Sequence, residues 1–238
     1  LWVGISFAKA LSVCWNIPIV KVNHMEGHIF SIFPKKTKSF TVDIKEKMFP
    51  MLSLLVSGGH TELILVKDWQ KYKKIGQTRD DAVGEAFDKV ARMLGLPYPG
   101  GPAVSNLAAQ WRSVRQGLTE NNPFTMPRPM LHSQDYDFSF SGIKTAMLYT
   151  IRDLTNSNSR ELEISEKEAL ACAFEDAVVE VLIKKTTDAI KEYGVQTVIV
   201  GGGVAGNTYL RSELSKKITK DFPQITLLFP EPWLATDN

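Results

Sequence analysis

The sequence predicts an α/β protein, and three observations carry that reading. The stretch "MLSLLVSGGHTELILV" holds two apolar runs parted at Gly58 and Gly59, the pattern of two paired strands and a tight turn. A long helical pattern runs over roughly 165–193. Lastly, "TVIVGGGVAGN" sets a wholly apolar strand directly before glycines and a further helical pattern, the strand-then-helix order of an α/β lobe.

The elements follow in order. In "VGISFAKALSVCWN", Ile5, Ala8, Ala10, Leu11 and Cys14 fall at spacings that suit a buried helix, and "IPIVKVN" after it reads as a short strand. Between two prolines, "PKKTKSFTVDIKEKMFP" carries Lys35, Lys36, Lys38, Lys45 and Lys47 and reads as a solvated insertion. A lobe boundary is expected near its end, dividing 1–50 from 51–238. The two strands of the glycine hairpin are joined by a third, "YKKIGQT", completing a meander. Asp80 and Asp81 are placed to cap the helix "DAVGEAFDKVARMLG", whose stripe is Ala86, Val90, Met93 and Leu94 and whose stop is Gly95. "LPYPGGP" is a rigid loop before another helix. "DFSFSGIKTAMLYTIRDL", the long helix, the strand "TVIVGG", a helix over roughly 207–222 and the strand "ITLLFP" complete the chain.

Composition narrows the function classes. The 238 residues are 44% hydrophobic and 23% charged, with a formal charge of +2, so no global basic field marks a nucleic-acid coat protein. Cys14 and Cys172 are the only cysteines, which excludes a disulfide framework and a cysteine zinc site and points to a reducing, intracellular setting. No apolar run approaches the roughly 20 residues of a membrane span. The chain starts at Leu1 inside a helical pattern, so it is expected to be a piece of a longer protein.

"NHMEGHIFS" puts His24 and His28 four positions apart with Glu26 between them. At about 100° per residue the two imidazoles sit roughly 40° apart on a helix, whereas Glu26 lies about 200° round from His24. The histidines are placed to share one cation, or are two ordinary helix histidines; Glu26 is on the wrong face for the zinc-peptidase arrangement. Gly58 and Gly59, with the hydroxyls of Ser57 and Thr61 nearby, form either a plain hairpin turn or a cradle for phosphate or carboxylate. The glycines after "VIV" suit a nucleotide held against a helix N-terminus, although GxGxxG is not spelled. Asn207 there is a helix cap or a ligand contact. Asp81, Glu85, Asp88 and Arg92 share one helix face; they are a solvated ladder unless Asp88, leading into "YPGGP", meets ribose hydroxyls beside Gly101 and Ser105. Asp237, in the final "TDN", means little alone.

Taken together and in this order, "VGISFAKAL", "VNHMEGHIFS", "LLVSGGHTELILV", "RDDAVGEAFDKVARMLGLPYPGGP", "DFSFSGIKTA", "GGGVAGNTYLR" and the terminal "DN" resemble the TsaD family of tRNA threonylcarbamoyladenosine transferases. The resemblance implies a two-lobed, actin-like ATPase (ASKHA) fold of mixed sheets flanked by helices, here without the family's N-terminal phosphate loop and C-terminal tail. It implies one divalent metal ion per subunit, iron or zinc, held by His24, His28 and Asp237. Substrate contacts would fall on Leu55, Val56, Ser57, Gly58, Gly59, Asp88, Gly101, Ser105 and Asn207.

The implied reaction moves the threonylcarbamoyl group from threonylcarbamoyl-adenylate, made by a separate synthase, to N6 of adenosine 37 in tRNAs reading ANN codons, with release of AMP. His24, His28 and Asp237 would hold the Lewis-acidic cation, the Gly58 and Gly59 amides would stabilise developing charge, and Asp88 and Asn207 would fix the adenylate. "VSGGHT" resembles the bacterial and organellar branch, and the lysine-rich insertion favours a mitochondrial homodimer over a protein of the bacterial cytoplasm. The lysines offer phosphate contacts to tRNA or simply a solvated loop. Two other functions fit parts of the pattern: a metallopeptidase, which the position of Glu26 opposes, and a non-catalytic nucleotide-binding scaffold.

Overall fold

The computed structural model describes residues 2–32, 46–69, 71–115, 121–158 and 160–231. Its centre is a five-stranded mixed sheet in the order β3-β2-β1-β4-β5. The strands are β1 (Met51–Val56), β2 (Thr61–Asp68), β3 (Lys71–Gln77), β4 (Thr197–Gly201) and β5 (Thr226–Leu228). β1, β2 and β3 form the antiparallel meander expected from the sequence, and β4 joins β1 in parallel. Every residue of β1 and β4 is buried, as their largely apolar runs, broken only by Ser53 and Thr197, suit central strands covered on both faces.

The alternation of side chains along β1 divides the core. Leu52, Leu54 and Val56 point to the larger cluster, shared with the helices α3 (Val83–Met93), α4 (Gly100–Val114), α5 (Ser141–Asn158), α6 (Ile164–Tyr193) and α7 (Thr208–Asp221). Met51 and Leu55 point the other way, where Ile64, Val66 and Ile199 meet Ile29 of the short helix α2 (His24–Phe30). The sheet therefore carries the histidine helix on one face and α3, α4, α5, α6 and α7 on the opposite face. Within the larger core Phe87 and Phe174 meet edge to face, with centroids 5.0 Å apart, tying α3 to α6.

Three expectations are corrected. The first helix, α1 (Trp2–Trp15), forms but buries none of its residues, and Cys14 is exposed; no described element covers its apolar stripe. Residues 17–23 are not a strand, and among the described residues no strand lies alongside them to pair with. Asp80 and Asp81 do not cap α3, whose N-cap is Ala82 without a side-chain bond. Instead the Asp80 carboxylate accepts from the Ser139 and Ser141 hydroxyls and the Phe140 amide, pinning the loop before α5. Burial pushes the Asp80 carboxyl up, but these bonds outweigh it and hold it below its ordinary value. Asp81 pairs with Lys89 at 2.7 Å and Lys144 at 3.2 Å, which joins α3 to α5. The stripe of α3 is as read, with Ala86, Val90 and Leu94 buried, and Gly95 ends the helix in the left-handed conformation at φ 72°. Of the lysine run only Lys47 lies among the described residues; Lys35, Lys36, Lys38 and Lys45 lie outside them.

Candidate functional site

Asn23 caps α2, its side chain accepting from the Met25 amide at 3.0 Å, and this begins the turn that carries both histidines. The Nε2 atoms of His24 and His28 approach to 3.2 Å, with His28 buried and His24 exposed. Two nitrogens each about 2.0–2.1 Å from one tetrahedral ion would be roughly 3.3 Å apart, so the pair has the bite of two ligands on one cation. Glu26 faces away and accepts from the Tyr72 hydroxyl of β3, while Asn23 donates to the same oxygen at 3.3 Å. Both bonds moor α2 to the sheet edge. The His60 ring lies 6.3 Å from that of His24 between centroids. Among the described residues no three of His, Cys, Asp or Glu are close enough to hold a metal, and Asp237, the expected third ligand, lies outside the described residues.

The turn between β1 and β2 comes next. The Ser57 amide donates to the His60 carbonyl at 2.8 Å, and the Ser57 hydroxyl accepts from the amides of Gly59 at 3.4 Å and His60 at 3.1 Å. The Gly59 amide thus has a partner inside the turn. The side chains of Leu55 and Val56 are core, on opposite faces of β1.

Beyond the turn a cleft of about 510 Å³ opens between α3, α4 and the start of α7. It brings together Gly58, Asp88, Gly101, Ser105 and Asn207, which are scattered between positions 58 and 207 of the sequence. Phe87 and Pro102 supply apolar wall, and the exposed Tyr98 stands at the rim. Asp88 Oδ1 accepts from the Gly100 amide at 2.8 Å and so closes the N-terminus of α4, a task that Pro99 at the N-cap has no side chain to perform. Asn207 caps α7, accepting from the Leu210 amide at 2.9 Å, and at the same time lines the cleft.

Glycines allow these parts to meet. A methyl on Gly84, at the start of α3, would lie 2.7 Å from the Ser57 carbonyl oxygen. On β4 the run of glycines does not wrap a helix N-terminus directly, because a short turn over Gly203–Gly206 precedes α7. Gly201 lies against the His28 carbonyl, and Gly202, at φ 89°, passes so close to Val56 that a methyl there would be 2.5 Å from its carbonyl oxygen. Gly203 alone of the three lines the cleft.

Sequence reading missed the group beneath the cleft. Glu175 of α6 is fully buried and accepts from the Ser105 hydroxyl at 2.7 Å, Asn207 Nδ2 at 2.8 Å and Arg112 at 2.6 Å. Arg112 also reaches Asp176 at 2.6 Å and lies over the Tyr209 ring. Burial opposes its charge, yet the two carboxylates raise its pKa above the ordinary value. Glu175, set directly after Phe174 inside the largely apolar pattern "ALACAFEDAVVEVL", was the available signal, since a buried carboxylate requires partners.

Comparison with known proteins adds the following. The family model described as TsaD, tRNA N6-adenosine threonylcarbamoyltransferase, matches residues 1–238. A protein of that name from Thermosipho africanus (strain TCF52B) is 44% identical over 238 residues, all of this chain and 65% of the relative. Its counterparts from Geobacillus thermodenitrificans (strain NG80-2) and Staphylococcus aureus (strain Newman) are also 44% identical, with 63% of each covered. The chain therefore spans somewhat under two thirds of these relatives, which are bacterial and lend no support to the mitochondrial expectation. Among solved structures, full-length HypF in its phosphate- and nucleotide-bound form has a TM-score of 0.58 at 14% identity, covering 90% of this chain and 33% of that one. HypF from T. kodakarensis has a TM-score of 0.56 at 13% identity, covering 98% and 37%. That likeness is one of fold, and it agrees with the mixed α/β, actin-like class expected. Among the described residues no helix is long and apolar enough to cross a membrane.

Proposed function

The chain belongs to the TsaD family of tRNA N6-adenosine threonylcarbamoyltransferases, and from that premise we propose that its protein transfers threonylcarbamoyl from threonylcarbamoyl-adenylate to N6 of adenosine 37 in tRNAs reading ANN codons. The observation that carries the reading is the convergence of Gly58, Asp88, Gly101, Ser105 and Asn207 on one cleft, with the paired histidines past the neighbouring Ser57–His60 turn.

In this reading the cleft receives the adenylate. Asp88, with Oδ1 held by the Gly100 amide, presents its second carboxylate oxygen to a hydroxyl, and Asn207 and Ser105 form the floor. Gly58 and Gly84, lacking side chains, let phosphate approach the backbone at the turn. His24 and His28 would hold a divalent metal, iron or zinc, with Asp237 as the third ligand. When bound, the cation would supply Lewis-acid polarisation of an acyl or phosphate oxygen. The tRNA and a separate adenylate-forming synthase are the partners this implies, and a homodimer the assembly. Glu26, engaged by Tyr72, is not placed as the base of a metallopeptidase.

The test is a transfer assay with threonylcarbamoyl-adenylate and unmodified tRNA, run on the full protein with and without a chelator. Formation of modified adenosine, lost on chelation and restored by metal, is expected. Absence of transfer rejects the transferase in favour of a nucleotide-binding scaffold, and full transfer without metal rejects the metal role alone.

A further inference from the structure

Neither the turn nor the cleft uses the side chain of His60. Its backbone is fixed on both sides: the carbonyl accepts from the Ser57 amide at 2.8 Å, and the amide donates to Ser57 Oγ at 3.1 Å. Ser57 is itself buried, and its carbonyl accepts from the Gly84 amide at 3.2 Å. The His60 ring, by contrast, is exposed, and among the described residues neither of its nitrogens has a hydrogen-bond partner. Two imidazoles on one tetrahedral ion hold their centroids roughly 5 Å apart. His24 and His28 stand at 4.5 Å, but His24 and His60 at 6.3 Å. His60 is therefore too far out to share the ion in this arrangement, yet near enough to reach a group lying beside the pair. Two residues back, Gly58 lines the cleft, so one turn touches the cleft at one end and stands beside the pair at the other.

We propose that His60 is a catalytic residue whose ring N–H donates to a phosphate oxygen of the bound adenylate. A neutral imidazole carries one N–H donor in either tautomer, so the contact requires no change of charge on the ring. Adenosine fills the cleft, the phosphate lies over the turn where Gly58 and Gly84 have no side chains, and His60 meets it from the side of the histidine pair. In transfer, N6 of the tRNA adenosine forms a bond to the carbamoyl carbon. The bond from that carbon to the phosphate oxygen breaks, its electron pair leaves with AMP, and N6 releases one proton to water. Negative charge grows on the phosphate during this step, and a donor already held in place stabilises it. The inference rests on the adenylate reading and adds to it the group that receives the leaving phosphate.

Calorimetric titration of the full protein with AMP and with adenosine tests this, with metal content and thermal melting of each variant measured alongside. The unaltered protein is expected to bind AMP more tightly than adenosine. In His60→Ala the preference for AMP should fall about tenfold, the size of one hydrogen bond to a charged group, while adenosine affinity and metal content stay as they were. His60→Gln restores an N–H donor and should recover most of the preference. The kcat for transfer should fall about 100-fold in His60→Ala, the scale for one donor lost from developing charge. An unchanged preference or an unchanged kcat overturns the proposal. Equal weakening of AMP and adenosine also overturns it and leaves His60 a shaper of the turn, and loss of metal from His60→Ala overturns it by making His60 a support of the ion. These outcomes leave the adenylate reading standing, whereas failure of the unaltered protein to bind either compound overturns that reading and this inference with it.

Discussion

The Tyr72 hydroxyl on β3 donates to the Glu26 carboxylate on α2, so the residue between the two histidines is fastened to the sheet edge and not to their shared face. The bond also holds the tyrosine proton, raising the pKa of Tyr72 above its ordinary value. Removing it in Tyr72→Phe frees one side of a short helix whose orientation sets the histidine pair. Metal affinity, measured by competition with a chelator, is expected to fall on the order of tenfold, the scale for supports of metal ligands. Unchanged affinity would show that the cap by Asn23 and the burial of Ile29 orient α2 unaided.

His24→Ala and His28→Ala should each abolish metal retention, since a single imidazole leaves the 3.2 Å pair without its second arm. Metal analysis of purified protein reads this directly, and transfer activity should disappear in parallel. His28 is buried and His24 exposed, so the His28 variant is expected to lose more thermal stability.

Gly84→Ala drives a methyl to 2.7 Å from the Ser57 carbonyl and 2.8 Å from the Gly58 Cα, both backbone atoms that cannot rotate aside. The start of α3 must shift away from the turn. A loss of about 1–3 kcal/mol is expected from such overpacking, read as a melting midpoint lowered by roughly 2–4 °C per kcal/mol. AMP binding should weaken too, because Gly58 and Gly84 share a wall of the cleft.

The two cysteines should differ in reactivity. Burial pushes the Cys172 thiol up to about 12, so at pH 8 it stays protonated and shielded, whereas Cys14 is exposed. Alkylation of native protein at pH 8 is expected to label Cys14 alone, and both residues after denaturation; mass spectrometry of the labelled peptides decides. Rapid native labelling of Cys172 would show that α6 opens readily.

The sequence made the meander legible because its signals are local: glycines parting two apolar runs, and alternation along each. The same holds for β4 and for the ends of α6 and α7. What it hid depends on distant partners. An apolar stripe such as that of α1 says which face seeks cover without saying what supplies it. Asp80 beside a helix start reads as a cap, yet its partners Ser139 and Ser141 follow some sixty positions later. Glu175 could be marked as anomalous within its apolar run, but nothing local says that Arg112, Ser105 and Asn207 converge upon it. For the cleft itself, resemblance named Asp88, Gly101, Ser105 and Asn207, which the geometry then assembled; Leu55 and Val56 came with the same motif and turned out to be core.

At the end of β4, Gly201 rests on the His28 carbonyl and Gly202 on that of Val56, while Gly203 faces the cleft. Three successive residues thus lie against the histidine helix, the central strand and the cleft in turn. The paired histidines are for that reason a poor candidate for transplantation: a graft of α2 into another scaffold has to bring this strand terminus along, or a side chain in the place of Gly201 will press on the His28 carbonyl.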